Sequence, residues 1–123
     1  MLDRNELWAQ TEELADLIMQ APEIARYQEA EAKMKAHPTA SRMIQELKDL
    51  QEQVAEFQAR QVPPMHYVHL LRETESLLDR LEKIPEVAEF QRAQAAVNDL
   101  LQALTQRLAR AVLERVADVQ EGG

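Results

Sequence analysis

Residues 85–119 read PEVAEFQRAQAAVNDLLQALTQRLARAVLERVADV, a stretch with no glycine and no proline after Pro85. Ala, Leu, Glu, Gln and Arg dominate it and favour helix, and proline suits the first turn of a helix. At 1.5 Å per residue such a helix is roughly 50 Å long. Its apolar stripe drifts around the helix axis, so we expect it to contact more than one neighbour. The stripe comprises Val87, Phe90, Val97, Leu101, Leu104, Leu108, Val112 and Val116.

Prolines rather than glycines divide the preceding sequence, at positions 22, 38, 63 and 64, and no glycine occurs before Gly122. A sheet protein of this length would need glycines in its turns, so the chain is predicted to be all-helical. A first helix is expected near Asp3, which can form a capping box with Glu6. Its predicted apolar face comprises Leu7, Leu14, Leu17 and Ile18, with Trp8 at the edge, and the helix after Pro22 carries Ile24, Tyr27 and Met34.

Residues 40–84 show apolar positions at alternating steps of three and four on both sides of Pro63-Pro64. Two such helices joined by a short turn predict an antiparallel helical hairpin. We expect one helical bundle domain over residues 1–123, associating as a dimer or higher oligomer. The first helix of the hairpin carries Ala40, Met43, Leu47, Leu50, Val54, Phe57 and Gln61, and the second carries Tyr67, Leu70, Thr74, Leu77, Leu81 and Ile84.

Two segments of the chain resemble each other. Residues 21–34, APEIARYQEAEAKM, and residues 84–97, IPEVAEFQRAQAAV, are identical at six positions when offset by 63. The similarity has two interpretations. It reflects either a recurring amphipathic helix that starts with proline, or a duplicated structural unit in which Tyr27 and Phe90 pack in the same way.

The composition narrows the functional class. The net charge of −8 argues against direct binding of nucleic acid, which needs clustered Lys and Arg. No run of 18 apolar residues and no leader pattern is present, so we expect a cytoplasmic protein without membrane insertion. The absence of cysteine excludes disulfides and thiolate ligands. No glycine-rich phosphate loop or cysteine nucleophile exists, and we therefore expect no enzyme and no cofactor.

Two alternatives to a binding protein remain. His66, His69 and Glu73 could share one face of a helix and form a metal site, although no Glu precedes a histidine by three residues as helical carboxylate sites require. We therefore expect no metal there. The other alternative is a direct RNA-binding helix, diluted by Glu114 and Asp118, with these arginines: Arg92, Arg107, Arg110 and Arg115.

Association with other chains is the leading prediction. A hairpin and one long helix cannot cover about twenty strongly apolar positions, and a large exposed apolar surface favours a partner. Asn98-Asp99 lies among apolar residues of the last helix, where a polar group either fixes the choice of partner or faces solvent. The interface is expected to comprise Phe90, Val97, Asn98, Leu101, Leu104 and Leu108.

The last helix also resembles a known family. Residues 84–102, IPEVAEFQRAQAAVNDLLQ, are similar to the signature helix of the YlbF/YmcA family, and the likeness covers about residues 4–118. The stretch Ile44–Gln53 agrees with it, as do Tyr27, Ala30 and Glu31. The residues that carry it are Ile84-Pro85, Glu89-Phe90, Gln94 and Val97-Asn98-Asp99-Leu100-Leu101-Gln102.

This resemblance implies a regulatory subunit of the kind found in Bacillus. Such a subunit acts with a YlbF-like paralogue and a YaaT-like protein on the endoribonuclease RNase Y, and so affects messenger processing, competence, sporulation and biofilm formation. The family's complex is associated with iron–sulfur clusters ligated by cysteines. Because this sequence has no cysteine, we expect partner subunits or a terminal tail beyond this sequence to supply any such ligands.

Overall fold

The structure is a computed structural model that describes residues 3–121, and within that range it contains helices and no strand. The predicted all-helical class, with a hairpin and one long last helix, is confirmed. A short 3₁₀ turn, Pro64–His66, separates the third and fourth α-helices. The α-helices are α1 (Arg4–Ile18), α2 (Pro22–Ala36), α3 (Pro38–Ala59), α4 (Val68–Glu82) and α5 (Pro85–Glu121).

The helix starts follow the predicted signals. Asp3 caps α1, because its Oδ1 atom accepts a hydrogen bond of 2.8 Å from the backbone N–H of Glu6. Prolines open α2, α3 and α5, where the missing N–H would have no partner in the helix. The cap of α3 was not predicted: Nδ1 of His37 accepts from the backbone N–H of Ala40 at 3.1 Å. The imidazole of His37 therefore provides the capping acceptor that an Asp or Ser side chain usually provides.

The end of α3 corrects one prediction. Gln61 was assigned to the apolar stripe of this helix, but it lies beyond the helix with a φ of 59°. Its N–H donates to the carbonyl of Gln58, and the N–H of Val62 donates to the carbonyl of Phe57, each at 3.0 Å. This is the Schellman arrangement, in which glycine is the usual residue at the left-handed position. Gln61 therefore stops the helix rather than extending its stripe.

The chain forms two compact units, and one of them comprises Gln28–Gln91. Within it, α3 packs against α4. The rings of Phe57 and Tyr67 stack with centroids 5.7 Å apart, which places the end of α3 beside the start of α4 and makes the hairpin antiparallel. Tyr67 precedes α4 rather than belonging to its helical stripe. The buried core of this unit comprises Met34, Ala40, Met43, Leu77, Leu81 and Val87.

The other unit comprises the segment that ends at Tyr27 and the segment that begins at Arg92. It contains α1 and the greater part of α5. No residue within Arg4–Ile18 is buried, and only Ile18 is half-buried. The predicted apolar face of α1 therefore exists as a stripe on the helix but does not form a closed core.

The similarity between the two segments extends further than the predicted fourteen positions. The junction from α1 to α2 and the junction from α4 to α5 have the same backbone hydrogen bonds at an offset of 63. The Thr11 hydroxyl donates to the carbonyl of Leu7 at 2.9 Å, and the Thr74 hydroxyl donates to the carbonyl of Leu70 at 2.8 Å. Residues 7–34 and 70–97 share these eleven matched identities: Leu7, Thr11, Glu12, Leu14, Asp16, Pro22, Glu23, Ala25, Gln28, Ala30 and Ala32 in the first copy.

This agreement in sequence and in hydrogen bonding favours the duplicated unit over a merely recurring helix. Tyr27 and Phe90, at matching positions, are both half-buried. The copies differ at their ends. The first is interrupted by Pro38 and continues as α3, whereas the matching position in the second is Leu101, and α5 runs on without a break. A proline lacks the N–H that the helix ladder needs, so its presence or absence accounts for the difference.

Candidate docking surface

The predicted interface residues fall into both compact units. Phe90 lies in the Gln28–Gln91 unit, where it packs against the buried core. The other five lie in the second unit, and of these Val97 and Leu104 are half-buried. Asn98 and Leu101 are exposed, as is Leu108. The structure describes one chain, so the assignment of these residues to an interface stays a prediction.

An apolar groove of about 370 Å³ lies between α1 and the distal part of α5 in the second unit. We call its five apolar residues the open seam: Leu14, Ile18, Leu101, Leu104 and Leu108. Thr105 and Arg107 complete the lining. Three members of the seam come from the predicted interface, which the structure brings together with two residues of α1. Leu108 remains 59% exposed, so the groove is a lined surface rather than a filled core.

The sequence prediction missed the α1 side of this seam. Leu14 and Ile18 had been placed on an apolar face of α1 but not assigned to an interface. A signal for them was present in the sequence, because they match Leu77 and Leu81 of α4 when the repeat is extended past residue 21. Both of those leucines are buried in the other unit.

Exposed apolar side chains continue beyond the seam along α5. Leu113 borders one shallow apolar concavity together with Ala109 and Ala117. Val112 and Val116 border a second one. The distal helix thus presents apolar side chains in two directions, as the predicted drift of the stripe implies. Exposed apolar patches of this extent are typical of surfaces that bind other proteins.

The two helices that border the seam differ in net charge. Helix α1 carries the acidic residues Glu6, Glu12, Glu13 and Asp16 against one arginine. The distal part of α5, residues 101–120, carries three arginines against Glu114 and Asp118. Helix α1 is therefore net acidic and the distal part of α5 mildly basic, and of these charged residues Arg107 lines the seam.

The structure lends little support to the two alternative sites, the histidine metal site and the RNA-binding face of α5. His66 lies in the 3₁₀ turn and His69 in α4, so the two histidines do not share one helix as predicted, and both are exposed. Within residues 3–121 no group of three or more His, Cys, Asp or Glu side chains is arranged to hold a metal ion. On α5, Glu114 and Asp118 stand seven and eleven residues after Arg107 and hence on its face, where they interrupt a basic track.

Two further possibilities are a membrane-spanning helix and an iron–sulfur cluster site. No helix within residues 3–121 combines the length and the apolar character that crossing a bilayer requires. Iron–sulfur clusters are held mainly by cysteine thiolates, and the sequence contains no cysteine. The residues present therefore do not fit a cluster site.

Comparisons with known proteins agree with this fold. Bacillus subtilis (strain 168) YmcA is 26% identical over 122 residues, covering 94% of this chain and 80% of the relative. A chain in the crystal structure of Bacillus subtilis RicA in complex with RicF is similar in fold, with a TM-score of 0.72 and 22% identity, and the match covers 93% of this chain and 99% of that one. Residues 7–113 match the family described as control of competence regulator ComK, YlbF/YmcA. The chain belongs to the YlbF/YmcA family of competence regulators.

Proposed function

We propose that this chain is a non-enzymatic adaptor subunit of the cytoplasm. It binds a YlbF-like paralogue and a YaaT-like protein, and with them it modulates messenger processing by RNase Y. Competence, sporulation and biofilm formation are the processes it would influence. The adaptor acts through protein contacts and without a cofactor.

The observation that carries this proposal is the open seam. Leu101, on its α5 wall, is 42% exposed although it stands in an apolar stripe of a long helix. An apolar groove without a filled core is the surface on which an adaptor helix binds another helix. Family membership supports the regulatory role, and the capture of RicA with RicF supports a protein partner for this fold.

The first experiment tests the α5 wall. Leu101→Asp places a carboxylate in an apolar seam, where burial by a partner would remove it from water at a cost in free energy. We expect the association constant for a YlbF-like paralogue to fall by at least about tenfold, which corresponds to 1.4 kcal/mol. Isothermal titration calorimetry with each purified variant measures this change, and circular dichroism verifies that helicity is retained.

Gln102→Asp is the matched control, because it introduces the same charge at the next, exposed position of α5. It should bind as the parent does. Asn98→Leu should retain binding but reduce the discrimination between paralogues, since a polar group beside a packed seam penalises mismatched partners. If Leu101→Asp stays helical and binds with the affinity of the parent, the seam is not the adaptor surface.

The second experiment tests the cellular role. In Bacillus subtilis cells that lack YmcA, expression of this chain should restore RNase Y-dependent transcript ends, measured by sequencing of RNA 5′ ends. The Leu101→Asp variant should fail to restore them, and Gln102→Asp should succeed. Equal restoration by both variants, or by neither, would contradict the adaptor mechanism.

A further inference from the structure

His37 lies where two helices meet and faces a third. Its backbone N–H donates to the carbonyl of Met34, in the last turn of α2, at 3.1 Å. Its Nδ1 atom accepts from the backbone N–H of Ala40, in the first turn of α3, also at 3.1 Å. Its Nε2 atom lies 4.0 Å from Oε2 of Glu86, in the first turn of α5. The two ring nitrogens therefore contact different helices, and all of these residues belong to the Gln28–Gln91 unit.

The cap on α3 requires one protonation state of this ring. A ring nitrogen that bears a hydrogen cannot accept a hydrogen bond, so Nδ1 must be unprotonated when it accepts from Ala40. In the neutral ring the hydrogen is then on Nε2, the nitrogen nearer to Glu86. A second proton turns Nδ1 into a donor opposite another donor, and it gives the ring a positive charge beside a carboxylate. One proton thus removes the contact with α3 and strengthens the contact with α5.

The charges around the ring act in opposite directions. Among residues 3–121, Glu86 is the one charged side chain that pairs with His37, and it favours the protonated ring. The positive end of the α3 dipole disfavours it. The remaining charged residues at the surrounding helix ends are Lys33 and Lys35 of α2, Arg42 of α3, Arg80, Glu82 and Lys83 at the end of α4, and Glu89 of α5. Because the cations of α2 and α3 lie beside carboxylates of their own, Glu86 and the start of α3 dominate the response of the ring to pH.

The first turn of α3 is part of the core, so its cap affects more than the junction. Ala40 is completely buried, and Met43, one turn further on, is buried as well. Both belong to the cluster that contains Leu77 and Leu81 of α4. The side chain of His37 is itself 32% exposed, so a proton reaches it from solvent without unfolding of the chain. A change of pH can therefore act on the packing of α3 through this one side chain.

We propose that His37 is a pH-sensitive switch at the start of α3. The neutral ring caps α3, and the protonated ring releases the first turn of α3 and forms an ion pair with Glu86 of α5. Histidine side chains change charge between about pH 5 and 8, so the switch operates at mildly acidic pH. It is independent of the proposed adaptor surface, because neither His37 nor Glu86 lies in the open seam.

The test follows the Ala40 amide and the His37 ring in the same sample. NMR of the isotopically labelled full chain measures the protonation of the ring and the protection of the amide against hydrogen exchange from about pH 8 to about pH 5. Protection of Ala40, corrected for the intrinsic exchange rate, should fall about fivefold as the ring takes up its proton, as expected for the loss of a helix cap. Protection of the Leu77 amide in α4 should not change.

Three variants separate the parts of the switch. His37→Asn keeps a capping acceptor that does not titrate, so its Ala40 protection should be the same at both ends of the pH range. Glu86→Gln removes the counter-charge, so the fall in protection should occur at lower pH than in the parent. His69→Asn is the matched control, because it removes an exposed histidine of α4 and should leave the response of Ala40 unchanged. Circular dichroism verifies the helicity of each variant.

Constant protection of Ala40 while the His37 ring becomes protonated would overturn the proposal. A pH response that persists in His37→Asn would overturn it too, since the response would then belong to another group. A fall in protection that extends to Leu77 would show acid unfolding of the unit rather than a local switch. An unchanged midpoint in Glu86→Gln would overturn the exchange of contacts between α3 and α5.

Discussion

Helices α1 and α4 are both 15 residues long and have matching leucines, matching threonine hydrogen bonds and matching junctions to the next helix. Their surroundings differ. Helix α4 buries Leu70, Leu77 and Leu81, whereas α1 has no buried residue in the chain described here. The comparison teaches that an amphipathic stripe specifies a packing face but not its partner. In α4 that partner, α3, comes from the same unit.

The largest expected effect on stability comes from replacing the matched leucines of α4 and α1. Leu77→Ala should lower the free energy of unfolding by about 3 kcal/mol, because it leaves a cavity in a filled core. Leu14→Ala should lower it by less, and the loss should depend on protein concentration, since partner binding stabilises the folded state by mass action. Urea unfolding at two protein concentrations measures both losses. Equal losses that are independent of concentration would show that the two faces are equivalent within one chain.

A smaller effect concerns the start of α3, the helix that covers α4. His37→Ala removes the acceptor of the 3.1 Å hydrogen bond from Ala40, and we expect a loss of about 1 kcal/mol. His37→Asn retains a capping acceptor and is the matched control. Hydrogen exchange should quicken in the first turn of α3 in the alanine variant, while the amides of α1 exchange as in the parent. Unchanged exchange in α3 would contradict a capping role.

The smallest effect concerns the end of the same helix. Gln61 has a left-handed backbone conformation that is unfavourable for a residue with a Cβ atom, so Gln61→Gly should stabilise the chain by up to about 1 kcal/mol. Gln58→Gly, within the last turn of α3, should instead destabilise it by about 1 kcal/mol. Thermal unfolding of both variants gives the sign of each change. A loss of stability in Gln61→Gly would mean that the glutamine side chain contributes more than its backbone strain costs.

Much of the fold was predictable because its signals are local. A proline lacks an N–H and fixes φ, so Pro22, Pro38 and Pro85 identified three helix starts. The carboxylate of Asp3 identified a fourth. The sequence analysis did not predict that His37 caps the start of α3 or that Gln61 follows its end in a left-handed conformation. Neither residue type is usual at its position, and only the structure shows its role.

Less of the docking surface was predictable. The stripe on α5 placed Leu101, Leu104 and Leu108 on one face, and the structure has all three lining one groove. Leu14 was not assigned to the surface, because α1 and α5 are far apart in sequence and periodicity reports only the face of a single helix. Phe90 was grouped with these residues although it packs in the other compact unit, since a stripe does not show where one unit ends.

The sequence by itself determined that the chain is helical, where its helices begin, which faces are apolar and to which family it belongs, because these properties depend on residue types and on spacings of three and four. Only the tertiary structure decided that α4 is covered and α1 is open. Burial depends on the neighbouring elements and not on the residue type alone. The leucines that the two copies share are buried in α4, which packs against α3, and are exposed in α1.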